Sequence, residues 1–264
     1  MPEDLAPRGT PRERARAELM RDLLAAARAR LAQDGAAGLS LRAVARDLGL
    51  ASSAVYRYVP SRDALLTLLV SESYDAVGRV CEDAAAASRA AGHAPARRWL
   101  EVARAVRAWA LADRHAYELI YGTPLPGYVA PRDTVAPALR VWGVLVDVLV
   151  DAAADGSLRP AGPDFDPTGV VTPGVHAFGA ERGGWGGTED PETLRAGVRS
   201  LTLFSTVLGA VSAELFGHLR GVHEDAARAF DVTVATAAAG VGLHVDLVDA
   251  WAERDATGRP TGPA

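Results

Sequence analysis

Between Ser40 and Arg62 the chain gathers side chains suited to gripping a polyanion: Ser40, Arg42, Ser52, Ser53, Tyr56, Arg57, Tyr58 and Arg62. Guanidinium groups fork onto phosphate oxygens or onto the O6 and N7 edge of guanine, and serine and tyrosine hydroxyls bond phosphates. The run Ala51-Ser52-Ser53-Ala54 is small enough to let backbone approach a groove closely. Because the chain has no lysine, arginine makes every strong cationic contact. Other chemistry is thin. His218, His223 and Glu224 lack a recognised ligand spacing and a third strong partner, so no metal is expected. Cys81 lies in a helical pattern without a neighbouring base and reads as a small buried apolar residue. The Gly183 to Gly187 run follows no strand pattern, which argues against a nucleotide-cradling loop. No cofactor and no catalytic residue are expected, and the chain does not read as an enzyme.

The elements that must position these side chains are helices. Thr10-Pro11-Arg12-Glu13 reads as a helix start with a capping box. Leu19, Met20, Leu23, Leu24, Ala27 and Leu31 then form one apolar stripe, ended by Gly35. Ser40 caps a short second helix with Leu41, Val44, Ala45 and Leu48 inward, stopped at Gly49. A third runs from Ser52 to Tyr58 and is stopped by Pro60. Two short helices joined by a glycine turn make a helix-turn-helix pattern. Ser61 caps a fourth helix reaching Ala91. Further helices are expected at 96–112, 114–121, from Arg132 or Thr134 to Ala154, and as a final pair with stripes Leu194, Val198, Leu201, Ser205, Leu208, Ser212, Leu215, Leu219 and Ala226, Phe230, Val234, Ala237, Val241, Val248.

This predicts an all-α chain: a disordered stretch over 1–9, a three-helix head over 10–60, a larger helical body over 61–251 joined to the head by the fourth helix, and a flexible tail over 252–264. A long Gly/Pro-rich loop is expected over 156–191, a length usually seen in lids, binding loops or disordered segments. Hydrophobic residues make up 49% of the 264 residues and aromatics 6%, a balance that favours helices packed on helices over a β-sandwich. Residues 1–62 carry 11 Arg against 7 acidic residues, and the remainder 17 against 26, so a basic head precedes an acidic body. A lone cysteine, no signal-peptide pattern and no run of about 18 uncharged apolar residues predict a cytoplasmic chain without a membrane partner.

The head resembles the TetR family of bacterial regulators over residues from 13 to about 70, with Leu41, Val44, Ala45, Gly49, Tyr56, Pro60, Ser61 and Leu65-Leu66 all in the family's places. In the body, Ile120 to Tyr128 and Glu214 to His218 look like a subgroup of such regulators. Val59, Arg62 and Ala51 depart from the family's usual Phe, Lys and capping Ser or Thr; Ser52 is the alternative cap. The resemblance implies that Ser40 and Arg42 touch phosphate, that Ser52, Ser53 and Arg57 reach the groove, and that Tyr56, Tyr58 and Arg62 bond phosphates and fix register. Packing of the tyrosines with a polar tip exposed, beside solvated arginines, is the other reading of the same residues.

For the body the resemblance implies a small-molecule pocket and a homodimer formed by the last two helices. Pocket candidates are Trp99, Val102, Val106, Trp109, Tyr117, Tyr121, Tyr128, Trp142, Leu145, Phe178 and Trp185, with Arg107, Asp113, His115 or His176 as polar orienters. Dimer candidates are Leu201, Leu208, Ser212, Leu215, Phe230, Val234 and Val241. The expected function is a repressor on a double-stranded, palindromic operator, released by a small-molecule effector. An activator or a ligand-independent regulator of the same fold is the alternative, and a helical enzyme a more distant one.

Overall fold

The computed structural model describes residues 10–182 and 191–256, and among these the regular elements are all helical. In chain order they are α1 (Pro11–Gly38), α2 (Leu41–Asp47), α3 (Ser52–Tyr56), α4 (Arg62–Ala90), α5 (Pro95–Ala112), α6 (Arg114–Tyr121), α7 (Val135–Ala154), α8 (Pro173–Glu181), α9 (Pro191–Leu215), α10 (Ala226–Val241) and α11 (Leu247–Ala256). A single 3-10 turn, Arg132–Thr134, precedes α7.

The capping box at the start of α1 forms: Glu13 N donates to Thr10 Oγ1 at 3.2 Å, and Thr10 N donates to Glu13 Oε2 at 2.8 Å. Gly35 breaks α1 as expected. Its φ of 67° and ψ of 173° are closed to a residue with a Cβ, and one further turn follows to Gly38. Two elements depart from the sequence expectation. Helix α8 lies inside the Gly/Pro-rich stretch, started by Pro173. Helix α11 begins anew after the left-handed Gly242 and runs past Trp251 to Ala256, so Val248 does not continue the α10 stripe.

The chain divides into two compact units. The head holds the described residues up to Ser73 together with His115–Thr134; the body holds Tyr74–Arg114 and Val135 onward. The head thus takes in the first part of α4 and a segment from the middle of the chain, beyond the 10–60 boundary read from the sequence. Its core is Leu23, Ala27, Leu39, Leu41, Val44, Ala45, Val55, Val59, Leu65, Leu66 and Leu69. Val59, smaller than the Phe usual in the resembled family, is fully buried there.

In the body, α5 packs on α7, α9 and α10, and α9 packs on α7 and α10. Trp99, Leu100, Leu145, Leu149, Leu203 and Val234 fill the centre. Cys81 is fully buried, and burial pushes its thiol up to about 12, which keeps it protonated and inert. Residues 194–215 of α9 are long and apolar enough to cross a membrane by length and composition, although the stretch contains Arg195, Arg199 and Glu214 and so is not an uncharged run. Leu203, Val207 and Val211 of this helix face inward; Leu201 and Ser205 are exposed.

Candidate nucleic-acid interface

The inward faces of α2 and α3 are apolar: Leu41, Val44 and Ala45 on one, Val55 on the other. Their outward faces are what remains. Arg42 and Arg46 stand one turn apart on α2 and are exposed; Ser53, Tyr56 and Arg57 sit at i, i+3 and i+4 and are exposed as well. Ser52 and Tyr58 are half-buried, and Tyr58 packs against the head core. Arg46 was not among the residues picked from the sequence, although its spacing of four from Arg42 was the available signal.

The turn between the two helices closes as a Schellman motif. Gly49 N donates to Arg46 O at 3.1 Å and Leu50 N donates to Ala45 O at 2.9 Å, with Gly49 at φ 65°. Ala51 is the N-cap of α3 in extended conformation, so the helix starts at Ser52 without a shift to a serine cap. The α-helix ends at Tyr56 rather than Tyr58; Tyr58 N and Val59 N both bond Val55 O, at 2.9 and 3.0 Å, tightening the last turn before Pro60. Ser40 occupies the N-cap of α2 geometrically, but its hydroxyl makes no capping bond.

Electrostatics sharpen the outward face. Asp47, at the end of α2, is held by both oxygens on Arg30 of α1, each at 2.6 Å. That pairing lowers its carboxyl below the usual range and neutralises the one acid of α2. Arg62 departs from expectation. Instead of standing free for phosphate, it donates from Nη2 to Ala36 O at 2.6 Å and from Nε to Leu39 O at 3.1 Å. These carbonyls belong to the turn after the Gly35 kink, where helix-end acceptors need donors and a cation meets the negative end of the dipole. A guanidinium reaches two carbonyls at once where an ammonium offers a single point charge. Arg62 is therefore a positioning residue that fixes the connection leading to Ser40. Arg62→Ala is expected to cost the head about 1 kcal/mol and to weaken DNA binding without changing its salt slope, measured by thermal unfolding and by titration at several salt concentrations.

The residues considered for a pocket divide between the units. Tyr117, Tyr121 and Tyr128 belong to the head. Trp99, Val102, Val106, Trp109, Trp142, Leu145 and Phe178 belong to the body. Trp99, Val102 and Val106 are buried at 2% exposure or less, and Trp99 Nε1 donates to Val234 O at 3.2 Å, so these side chains act as packed core. Trp142 stacks on Phe178 with ring centroids 5.1 Å apart and donates to Ser200 Oγ at 2.9 Å. Arg107 is engaged by both oxygens of Glu214, at 2.5 and 2.7 Å. His115 lies 3.8 Å from Glu118. Trp185 and the side chain of His176 lie outside the described residues.

The dimer candidates also divide. Leu201 is exposed, and Leu208, Ser212 and Leu215 are half-buried on α9. Phe230, Val234 and Val241, at 4% exposure or less, are inside their own body and cannot meet a second chain. Periodicity finds the most apolar stripe of a helix, and on α10 that stripe faces the chain's own core; the outward residues there include Val232, Thr233 and Thr236.

Known proteins share this arrangement. Residues 23–69 match the family profile described as bacterial regulatory proteins, tetR family, and residues 99–237 match that of the tetracyclin repressor-like C-terminal domain. The HTH-type transcriptional regulator Rv1816 of Mycobacterium tuberculosis is 39% identical over 223 residues, covering 78% of this chain and 84% of that protein. Mb1846 of Mycobacterium bovis, an HTH-type transcriptional regulator, matches to the same extent. The crystal structure of SCO4313 is similar with a TM-score of 0.64 and 32% identity, covering 86% of this chain and 98% of that one. A protein from Rhodococcus sp. RHA1 shares the fold at a TM-score of 0.59 and 24% identity, covering 90% of this chain and 97% of that one. With both of its regions matched and a helix-turn-helix on its surface, the chain belongs to the TetR family of DNA-binding transcriptional regulators.

Proposed function

We propose that this regulator is a repressor that binds a palindromic operator as a homodimer and leaves it when a small molecule binds the body. The observation that carries the DNA contact is the outward face of α2 and α3, where Arg42, Arg46, Ser53, Tyr56 and Arg57 are exposed while the opposite face completes the head core. Arg57 forks onto guanine in the major groove, beside Ser52 and Ser53. Ser40, Arg42, Arg46 and Tyr56 hold phosphates and set register, with Tyr58 steadying the turn from the core side.

Support for the dimer comes from the outer face of α9 and α10. Leu201, Ser205, Leu208, Gly209 and Ser212 follow three-four spacing on α9, and the following helix, α10, presents Val232 and Thr236 outward. A Cβ placed on Gly209 would meet nothing within 4 Å, so a second helix can approach closely there. A two-fold dimer presents two reading heads, which matches a two-fold operator. For the effector, Trp109 and Phe178 are half-buried, while the other described pocket candidates of the body are buried.

Footprinting on the DNA flanking the gene tests this reading, repeated with a panel of hydrophobic metabolites. A protected site with two-fold symmetry that one metabolite abolishes is the expected result. Protection that no metabolite changes would leave a ligand-blind regulator, and protection of a single half-site would contradict the dimer.

A further inference from the structure

We propose that residues 122–131 form a strap that holds the reading head in its DNA-competent form; this rests on the DNA-binding reading above. The segment lies more than fifty residues beyond α3 in sequence, yet Leu125 and Tyr128, with Leu119 of α6, pack directly against the head core. Its anchors are preorganised. Leu125-Pro126-Gly127-Tyr128 closes with Tyr128 N donating to Leu125 O at 3.2 Å, and Gly127 stands at φ 77°. Proline second and a positive-φ glycine third are the signature of a type II turn, which makes Leu125 and Tyr128 its two ends. Little entropy is then lost when both side chains dock.

One polar bond fixes the register of the strap on α4. Tyr128 OH lies 3.1 Å from Thr67 Oγ1. The single hydroxyl hydrogen of Thr67 is already donated to Asp63 O at 2.9 Å, so Tyr128 is the donor. Thr67 is on the part of α4 that carries Leu65, Leu66 and Leu69 into the head core. Without Leu125 and Tyr128 in place, α2 and α3 lose part of the core against which they are seated.

The test uses the full chain with Tyr128→Phe, Thr67→Val, the double variant and Gly127→Ala. Amide hydrogen exchange is followed across the head, and affinity is measured for a duplex of the gene's own upstream DNA. Tyr128→Phe is expected to speed exchange in the strap and the first half of α4 about fivefold. Gly127→Ala, which has open space for its Cβ but must adopt a positive φ, is expected to speed it about tenfold. The double variant should do no more than Tyr128→Phe alone, because both remove the same bond. DNA affinity falls by a similar factor in each case. Unchanged head exchange in both Tyr128→Phe and Gly127→Ala overturns the strap. Faster exchange with unchanged affinity overturns its coupling to DNA. A wild-type chain without preference for its upstream DNA overturns the function proposed above, and the exchange data then still decide whether the strap holds the head.

Discussion

Asp231→Ala is expected to lower the stability of the body by about 3–5 kcal/mol, bringing its melting temperature down by roughly 10 °C. Asp231 of α10 is 1% exposed and is the acceptor around which three elements meet. Arg104 of α5 forks onto it at 3.0 and 2.8 Å, Trp251 of α11 donates its indole N–H at 2.8 Å, and Arg254 of α11 approaches to 3.3 Å. Removing the carboxylate leaves Arg104 paired with Glu101, at 2.9 Å, and takes from α11 the group that both its Trp and its Arg address. Breaking a buried pair from one side is costly because the remaining charge keeps its desolvation penalty. Trp251→Phe is the control: it deletes one donor, leaves both arginines on the carboxylate, and should cost about 1 kcal/mol. Thermal unfolding of the three proteins gives the comparison. An Asp231→Ala protein as stable as Trp251→Phe would mean that water takes over the role of the carboxylate.

The second large effect concerns which arginine reads and which only holds. Arg57→Ala should reduce affinity for the operator by about 10- to 100-fold while scarcely changing binding to random duplex, the loss of a bidentate base contact. Arg42→Ala should weaken operator and random DNA alike and reduce the salt slope by about one unit, the loss of one phosphate contact. Arg62→Ala belongs to neither class, since its guanidinium is spent on the carbonyls of Ala36 and Leu39. Titrations of both duplexes over a range of salt separate the three patterns. Equal loss on both duplexes for Arg57→Ala would move that residue from reading to holding.

The helices of the head were legible because each carries its own punctuation. Thr10 and Glu13 mark a start, Gly35 and Gly49 mark stops through φ values of 67° and 65°, and the spacing of Leu23, Ala27 and Leu31, four residues apart, marks the buried face. The outward residues of α2 and α3 followed from that face by subtraction. What the sequence hid is long-range. Nothing in the spacing of Leu119, Leu125 and Tyr128 says that they seat against the head core rather than within the body. The partners of Arg62 are backbone carbonyls, which any residue supplies, so no pattern of side chains announces them. Asp231 reads as one more solvated acid until Arg104, Trp251 and Arg254 are brought to it from separate helices. Helix α8 was missed because Gly and Pro dominate the segment around it and the helix has only nine residues. The α10 stripe of Phe230, Val234 and Val241 was found correctly as apolar and assigned to the wrong neighbour, since periodicity carries no information about which chain covers it.

We propose that the outward face of α2 and α3 reads DNA. It is tested most directly by the affinity of the purified chain for the duplex upstream of its own gene against a shuffled duplex of equal length and composition, at matched salt. A preference of about 1,000-fold or more is expected, lost in large part in Arg57→Ala. Equal affinity for the two duplexes at every salt concentration would contradict it.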